Sequence, residues 1–384
     1  MTRANLIYCC RSGQCNGHID RALAVAEELS ERFQVTVLLD DSFLSMAIKP
    51  GDVDLLFLPT NNADARRTLM MGKVTEIAPR VVVIEDFPFR WHEQKEEFLS
   101  VIQMVRGNAH EESLVVSMTD GVLASDIAEE KNAAENSADF LERYFDMVVV
   151  QSDPVFARLE EFFQPISALS TPMFHAGFVS PATHHGRRAR KISAGGILVS
   201  AGDGFSGGGL FRAAIEAHRI LRHTLPLPMA IVAGEHLPED EWQELLSLAA
   251  GSPALTLVRT VADIRAEVAN AQLSVSQCGY SATVNAIAAR TPTLFVPREG
   301  DHYREELIRA KRMVYWGAGR LVIPRLMNGA SLANEIQQFA KFERREMKFD
   351  LDGAAKAAQL LADVVYQNNY TPAQLQTSSH TRPH

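Results

Sequence analysis

The sequence predicts an α/β protein with two domains, each built around a parallel β-sheet. At two places, residues 5–18 and 196–209, an apolar strand-like run leads into a glycine-rich turn and then into a helical pattern. Apolar, β-branched runs recur along both halves of the chain with helical or loop stretches between them, which is typical of parallel strands buried on both faces. The length of 384 residues agrees with two domains, since a domain usually has about 100 to 200 residues.

The first half of the chain supplies the elements of an N-terminal domain, predicted as residues 1–186. Apolar residues spaced three and four apart in 19–29 predict a helix after the first glycine turn. A polar and basic stretch, residues 182–191, predicts a solvated linker at the end of this domain. Strands are predicted at residues 5–10, 35–39, 53–58, 81–84, 114–117 and 147–150.

The second half repeats this organisation and predicts a C-terminal domain over residues 187–370. An Ala- and Leu-rich pattern at 352–367 predicts a terminal helix of this domain, and residues 371–384 are expected to form a frayed tail. Strands are predicted at residues 196–200, 229–233, 255–258, 273–276, 293–296 and 321–323.

Composition excludes several classes of protein. The hydrophobic share of 46% and the charged share of 22% are ordinary for a soluble globular protein. A net charge of −9 argues against sequence-independent nucleic-acid binding, which needs clustered Lys and Arg. Without an apolar run of about 18 residues or a secretory signal, we expect a cytoplasmic protein with no transmembrane segment.

The cysteines give no sign of a metal centre or a disulfide framework. Cys9, Cys10, Cys15 and Cys278 include no Cys-x-x-Cys spacing. We therefore expect buried or partly buried free thiols and no bound metal. Cys15 and Cys278 lie in turns predicted to belong to the active site, where a thiol open to modification is the alternative.

The second glycine turn has the form Gly202-x-Gly204-x-x-Gly207, in which backbone N–H groups and a helix N-terminus can receive a phosphate. No Gly-Lys-Ser/Thr follows, which excludes a Walker phosphate loop. The acidic residue expected about 20 positions further on is not clear, so a purely structural strand-to-helix loop stays open. Asp203 adds negative charge at this helix N-terminus, so it must point away from a phosphate or bind another group, such as a sugar hydroxyl.

The first glycine turn, which contains Gly13 and Gly17, ends at His18. His18 should begin a helix at the carboxyl edge of the first sheet, where open α/β sheets place their ligands. A histidine there can act as a general base or bind a hydroxyl or phosphate group, although a capping or packing role is the alternative. Asp86 and Asp120 each end a predicted strand at the same edge, and they are reserve candidates for the base or are helix caps.

Several segments together resemble the GT-B glycosyltransferases, in particular the peptidoglycan N-acetylglucosaminyltransferase type and a related group of bacterial predicted glycosyltransferases. The similarity covers roughly residues 5–345. The second half contributes the spacing from Gly279 to Pro292, an apolar strand, Pro297, and then Glu305-Glu306 before Leu-Ile-Arg-Ala. The first half contributes Gly17-His18-Ile19-x-Arg21-Ala22, Glu85-Asp86-Phe87-Pro88-Phe89-Arg90, and a strand that ends in Asp153-Pro154.

This resemblance implies two Rossmann-like domains with parallel sheets facing a central cleft, the acceptor bound mainly by the N-terminal domain and the donor by the C-terminal one. It implies that residues 202–207 and 278–281 hold the diphosphate, and that Glu305 and Glu306 contact sugar hydroxyls. The complete set predicted to bind the substrate or the donor is Gly13, Gly17, Gly202, Asp203, Gly204, Gly207, Val261, Cys278, Gly279, Tyr280, Ser281, Asn285, Arg298, Glu305 and Glu306.

Two positions depart from the family's pattern. Asn285 stands where the family usually has the glutamate that clamps the ribose hydroxyls, and Glu306 stands where it has glutamine. An amide loses the stronger charge-assisted hydrogen bonds of a carboxylate. These departures leave open both the choice of UDP as nucleotide and the retention of transfer activity.

The sequence thus favours a metal-independent, inverting transferase without a cofactor, which moves a hexosyl or N-acetylhexosaminyl group from a nucleotide-diphosphate sugar, with UDP favoured. The acceptor would be a hydroxyl or amine on a small or lipid-linked molecule, and no nucleic-acid partner is expected. Two alternatives stay open: a nucleotide-sugar hydrolase or epimerase on the same fold, and a non-catalytic binding protein derived from it.

Overall fold

The computed structural model describes residues 3–11, 17–43, 50–90, 94–107, 113–123, 131–180, 192–202, 204–300 and 303–367. The chain divides into two compact units. Unit 1 comprises Met1–Pro181 and Phe349–His384, and unit 2 comprises Ala182–Lys348. The predicted linker boundary at residues 186 and 187 lies outside the described residues.

Unit 1 is built on a seven-stranded parallel sheet with the order β3-β2-β1-β4-β5-β6-β7. In β1, Leu6 pairs with Val35 on one side and with Val81 on the other. The last strand was not predicted, because it has only three residues and none of them is fully buried. The strands are β1 Ala4–Cys9, β2 Phe33–Asp40, β3 Val53–Leu58, β4 Val81–Glu85, β5 Leu114–Thr119, β6 Met147–Val150 and β7 Met173–His175.

Helices cover both faces of this sheet, as buried parallel strands require. Successive residues of β1 point to opposite faces, so that Leu6 joins a core cluster with the first and last helices of unit 1, and Ile7 joins the cluster under the other three. The helices are α1 Gly17–Ser30, α2 Ala63–Ile77, α3 Lys95–Gly107, α4 Lys131–Tyr144 and α11 Gly353–Gln367.

The terminal helix α11 belongs to unit 1, which corrects its predicted place in the C-terminal domain. Its buried face, which includes Ala357, Ala358 and Leu361, packs in the same cluster as Leu29 of α1. Small side chains at helical spacing let the two helices approach closely. The composition predicted the helix correctly, but an Ala-rich face fits many surfaces and does not specify the domain.

Unit 2 has a six-stranded parallel sheet with the order β10-β9-β8-β11-β12-β13. Its strands are β8 Ile197–Ser200, β9 Met229–Val232, β10 Leu255–Val258, β11 Leu273–Ser276, β12 Thr293–Phe295 and β13 Gly319–Leu321. Its helices are α5 Gly208–Leu221, α6 Glu239–Ala249, α7 Ile264–Asn270, α8 Tyr280–Ala289, α9 Arg304–Tyr315 and α10 Gly329–Phe339. No helix in the described ranges has both the length and the apolar character needed to span a bilayer.

Both sheets reverse their strand order at one position. In unit 1 the reversal lies between β1 and β4, and in unit 2 it lies between β8 and β11. At such a switch point the loops after the two strands diverge, which opens a crevice at the carboxyl edge of the sheet. The segments that begin α1, α5 and α8 follow these strands directly, so the fold brings the predicted site segments of each unit to its switch point.

Candidate active site

The switch point of unit 1 holds a buried network of charged side chains centred on Arg21. The helix α1 begins at Gly17, so Arg21 lies one turn inside it and points at the carboxyl ends of β4 and β5. Its Nε donates to Glu85 over 2.7 Å, and its two terminal nitrogens donate to Asp86 over 3.1 Å and to Asp120 over 3.4 Å. Because only 1% of the Arg21 side chain is exposed, one guanidinium joins three carboxylates away from water.

Asp86 follows β4 directly, and its backbone is in the left-handed region with φ of 59°. This conformation is uncommon outside glycine and is a mark of functional sites. It directs the carboxylate toward Thr119, whose Oγ1 donates to Oδ1 over 2.9 Å, and toward Arg90, whose nitrogen lies 3.0 Å from Oδ2. Burial alone would raise the pKa of Asp86, but Arg90, Arg21 and the His18 hydrogen bond hold it well below its usual range. Asp86 is therefore ionised at neutral pH.

Glu85 closes the network on the inner side. Tyr8 of β1 donates its hydroxyl hydrogen bond to this carboxylate. Burial raises the pKa of Glu85 despite the opposing effect of Arg21, and burial followed by the charge of Glu85 raises the pKa of Tyr8 well above its usual value. Glu85 and Tyr8 therefore support Arg21 from the core.

His18, the second residue of α1, is partly accessible to solvent, as is Arg90. Its side chain is 19% exposed, and its Nδ1 lies 3.0 Å from Asp86 Oδ2 and 3.2 Å from a terminal nitrogen of Arg21. A guanidinium can only donate, so these two neighbours require opposite roles of Nδ1. The shorter, charge-assisted contact with Asp86 favours a proton on Nδ1. The lone pair is then on Nε2, as a general base needs.

The side chains of His18, Glu85 and Asp86 also offer ligand atoms that lie within 4.8 Å of one another, a spacing that a metal ion could use. The guanidinium of Arg21, however, already makes hydrogen bonds to both carboxylates. It supplies the positive charge that a metal would bring. The arrangement fits an ion-pair network with one basic imidazole better than a metal centre.

The switch point of unit 2 is formed by backbone and glycine. The helices α5 and α8 begin after Gly207 and Gly279, and neither N-cap residue has a side chain that accepts from the first turn. Since β8 and β11 are neighbours, two helix N-termini without side-chain caps lie at adjacent strand ends. Such N-termini carry partial positive charge and orphan N–H groups, which favour anions.

The second glycine turn needs its glycines for close packing. Gly204 has φ of 94°, and a Cβ there would lie 2.6 Å from the carbonyl oxygen of Ala233. A Cβ on Gly207 would lie 2.7 Å from Ala201 Cβ, whereas one on Gly279 would meet nothing within 4 Å. Gly202 also has a positive φ, of 59°. The second glycine turn is therefore tightly packed, whereas there is space around Gly279.

Side chains that follow β11 and β12 hold the second glycine turn in place. Gln277 Nε2 donates to the Ser206 carbonyl over 2.7 Å, and Arg298 donates to the Ser206 hydroxyl over 3.2 Å. Arg298 also donates its backbone N–H and two guanidinium nitrogens to Glu306, which is only 3% exposed. Glu306 thus anchors Arg298, and its predicted contact with a sugar hydroxyl stays a prediction. The other predicted acid, Glu305, accepts from Arg309 over 3.3 Å.

Asn285 of α8 stands out among the remaining predicted residues. It is 5% exposed, and its buried Oδ1 has no hydrogen-bond partner among the described residues. Tyr280 and Ser281 are the first two residues of α8, and Val261 packs beside a small apolar cluster that contains Val232. The Asn285 Oδ1 is therefore an acceptor left unpaired in the interior of unit 2, among the residues that the structure describes.

Cys278 is a buried free thiol, as predicted, and the alternative that it is open to modification is wrong. Its thiol is fully buried, 3.4 Å from Thr283 Oγ1, and burial raises its pKa to about 12. Without a thiolate it is a poor nucleophile. Gly13, Asp203 and Cys15 lie outside the described residues, so the predictions made for them stay predictions.

Sequence reasoning did not name Arg21, Glu85, Arg90 or Tyr8 as site residues. The signal for Arg21 was its place three residues after His18, in a helix whose other buried residues are all uncharged. The two acids were adjacent in the sequence, but only Asp86 was singled out. Their partnership depends on three strands meeting at one edge, which no local pattern contains.

Comparisons with known proteins agree with this architecture. The sequence matches no protein-family model and no curated protein sequence. Several solved structures match over nearly their whole length. CalG4, the calicheamicin glycosyltransferase, shares 16% identity with a TM-score of 0.60, and the match covers 98% of this chain and 97% of that one.

Two further structures give the same result. A putative UDP-N-acetylglucosamine 2-epimerase from Listeria monocytogenes shares 12% identity with a TM-score of 0.64, over 97% of this chain and 99% of that one. MurG from Acinetobacter baumannii shares 14% identity with a TM-score of 0.56, over 94% of this chain and 99% of that one. The chain therefore has the GT-B fold that its sequence motifs predicted, and it resembles glycosyltransferases of that fold, MurG among them.

Proposed function

We propose that this protein is a glycosyltransferase that moves a sugar from a nucleotide-diphosphate sugar to a hydroxyl or amine acceptor. The observation that carries the proposal is the contrast between the two switch points. Unit 1 presents an imidazole held by a buried carboxylate, His18 with Asp86, 3.0 Å apart. Unit 2 presents two helix N-termini without side-chain caps on adjacent strands. The first arrangement suits proton removal, and the second suits a diphosphate.

On this proposal the donor binds unit 2. The diphosphate lies against the first turns of α5 and α8, whose N–H groups and dipoles stabilise negative charge as the leaving group departs. Arg298, which is 25% exposed, lies at the same edge, where Glu306 balances its charge. The positive potential for the diphosphate therefore comes from the two helix N-termini, which are part of the chain itself, and this supports transfer without a metal ion.

The reaction is a single displacement. The acceptor oxygen or nitrogen forms a bond to the anomeric carbon while the bond from that carbon to the diphosphate oxygen breaks, and the electron pair leaves with the diphosphate. The acceptor proton passes to His18 Nε2, and ionised Asp86 stabilises the imidazolium that results. One displacement inverts the anomeric configuration.

The nucleotide and sugar are proposed as UDP with a hexose or N-acetylhexosamine. The support is the sequence resemblance together with the description of one structural neighbour as a putative UDP-N-acetylglucosamine epimerase. Asn285 Oδ1 would accept a hydrogen bond from a ribose hydroxyl, in place of the carboxylate that the resembled family uses.

The test has a binding part and a rate part. Calorimetric titration with UDP, GDP, ADP and TDP, free and as sugar conjugates, should identify a nucleotide that binds the wild-type protein. His18→Ala should then lower turnover by about 100-fold or more, since general-base help contributes about 10² to 10⁴-fold, with donor affinity nearly unchanged. His223→Ala, a change at an exposed histidine of unit 2, is the matched control and should leave both quantities unaltered.

A second candidate is favoured by the epimerase among the structural neighbours. In a nucleotide-sugar hydrolase or epimerase, water or the sugar itself would take the place of the acceptor. Product analysis without an acceptor separates the two: release of free sugar or of an epimer would favour this candidate over transfer. If no nucleotide or nucleotide-sugar binds, the protein is a non-catalytic descendant of the fold, and both enzyme proposals are wrong.

A further inference from the structure

Arg90 is a charged residue of the unit 1 network to which the proposed reaction gives no role. It follows β4 at the carboxyl edge of the sheet, and its side chain is 20% exposed. Its guanidinium lies 3.0 Å from Asp86 Oδ2 and 3.7 Å from Asp120 Oδ2. Arg90 is thus a second arginine of the network, partly accessible to solvent, whereas Arg21 is buried.

The turn that carries Arg90 is fixed by its backbone and by the neighbouring Phe89. The backbone N–H of Arg90 donates to the Asp86 carbonyl over 2.7 Å. The ring of Phe89 is fully buried and packs on Phe163, with ring centroids 5.2 Å apart. The contact between the Arg90 side chain and Asp86 is therefore preorganised by the turn.

Arg90 is not needed to satisfy the carboxylate of Asp86. Oδ1 of this carboxylate accepts from Thr119, and Oδ2 has His18 Nδ1 at 3.0 Å and a nitrogen of Arg21 at 3.1 Å. Arg90 brings a third nitrogen to Oδ2, at 3.0 Å. Since a carboxylate oxygen has about two lone-pair sites, Arg90 competes with His18 for this oxygen.

The competition acts against protonation of His18. An imidazolium there is stabilised by Asp86 and destabilised by each positive charge nearby. Arg90 and His18 each have a nitrogen 3.0 Å from the same oxygen, which places the two nitrogens within about 6 Å of each other, where a single charge shifts a pKa strongly. Burial raises the pKa of Asp86, and the charge of Arg90 is the largest effect that lowers it.

The other titratable groups that face this pair among the described residues do not cancel the effect. Burial raises the pKa of Tyr8 and Cys10 well above their usual values, so both are uncharged at neutral pH. The three acids of the network exceed its two arginines by one negative charge, and without Arg90 the excess would be two. The charged members are Glu85, Asp86 and Asp120 with Arg21 and Arg90.

We propose that Arg90 is a positioning residue for the general base: it shares Asp86 with His18 and so keeps the imidazole unprotonated until an acceptor group gives up its proton. This inference rests on the proposed function. Without Arg90, the imidazole would hold a proton at a higher pH, and a protonated imidazole cannot act as a base.

The protonation of His18 can be measured directly by NMR. The ring signals of the 12 histidines are followed against pH in the isotope-labelled protein, and the His18 signal is the one that is missing from His18→Ala. In Arg90→Gln and in Arg90→Met the midpoint of the His18 titration should rise by about one pH unit or more. Arg90→Lys keeps the charge and should stay near the wild-type midpoint. Arg106→Gln is the matched control, since Arg106 is a 37% exposed arginine of unit 1 that pairs with Asp146, and it should not move the midpoint.

Turnover gives a second measurement. UDP release from UDP-N-acetylglucosamine is measured against pH. In Arg90→Gln, kcat should reach its plateau at a correspondingly higher pH, with the plateau nearly unchanged, because a more basic imidazole accepts a proton at least as well. A purely structural role of Arg90 would instead lower kcat at every pH without moving the profile, which would overturn the inference.

A His18 midpoint that stays constant or falls in both uncharged variants would also overturn the inference and leave the proposed function standing. A midpoint that rises while the rate profile does not move would mean that His18 is not the base, and it would overturn both. If the wild-type protein turns over no nucleotide-sugar, the proposed function fails, while the NMR titration still decides whether Arg90 controls the protonation of His18.

Discussion

The two switch points of this protein share one strand order and differ in almost every chemical respect. In unit 1 the crevice is filled by side chains, and Arg21, with 1% of its side chain exposed, joins Glu85, Asp86 and Asp120. In unit 2 it is lined by glycine turns and helix N-termini, and its arginine, Arg298, is 25% exposed. The topology fixes where a site can form, and the residues that follow the strands decide what the site can bind.

The difference is also one of charge balance. The carboxylates of unit 1 are matched by Arg21, Arg90 and, when it is protonated, His18, so this site has no excess positive charge for an anion. At the unit 2 site, two helix N-termini lack a side-chain cap, and Arg298 forms an ion pair with Glu306. The first site is suited to moving a proton and the second to receiving an anion.

The largest expected effect follows from removing the central charge of unit 1. Arg21→Met leaves three buried carboxylates without their common partner, and breaking a buried ion pair in this way costs about 3–5 kcal/mol. Urea denaturation at pH 7 measures the loss. Arg298→Met is the matched change in unit 2, and it should cost less, because it leaves one buried carboxylate instead of three and Glu306 keeps the backbone N–H of residue 298 as a donor. If both variants lose the same free energy of unfolding, the distinction between a buried site in unit 1 and an open site in unit 2 is wrong.

The pH dependence of the Arg21→Met variant sharpens the same point. Burial already raises the pKa of Glu85, and without Arg21 it should rise further. As the pH falls, a carboxyl group whose pKa is raised in the folded state is protonated there at a higher pH than in the unfolded state, which favours the folded state. The destabilisation should therefore diminish as the pH falls from neutral toward the ordinary glutamate value of about 4.3. A loss that is constant over this range would mean that the carboxylates stay solvated.

The second-largest expected effect concerns the pair formed by His18 and Asp86. Asp86→Asn keeps the size of the side chain but removes the charge that stabilises an imidazolium on His18. The kcat should therefore fall by about 100-fold, while the KM for the donor stays nearly constant. Asp120→Asn is the control within the same network, since Asp120 contacts Arg21 and Arg90. If Asp120→Asn lowers kcat as much as Asp86→Asn does, the network acts as a unit and the special role of Asp86 is wrong.

The sequence predicted the sheets well because buried parallel strands leave a strong local pattern. The ends of β4 and β11 were found because a polar group follows an apolar run there. Local patterns could not predict the burial of Arg21, since an arginine on a helix ordinarily faces water and this one is buried only because its partners come from β4 and β5. In unit 2, the stacked rings of Phe205 and His236 were equally inaccessible, since they are brought together by the pairing of β8 with β9.

The smallest expected effect tests the buried acceptor without a partner among the described residues of unit 2, Asn285 Oδ1. A buried oxygen without a hydrogen-bond partner costs about 1–3 kcal/mol, so Asn285→Leu, of similar size, should leave the free protein equally or more stable. The same change should weaken UDP binding by about 1 kcal/mol, the usual contribution of one hydrogen bond, if a ribose hydroxyl donates to this oxygen. Asn285→Glu should tighten binding by about 1–2 kcal/mol, since hydrogen bonds to a charged group are stronger. Thermal unfolding of the free proteins measures the change in stability, and calorimetric titration with UDP measures the change in affinity.

Asn285 is a ligand contact if the leucine variant is at least as stable as the wild-type protein but binds UDP more weakly. If the variant loses both stability and affinity, the amide of Asn285 supports α8 and the ribose lies elsewhere.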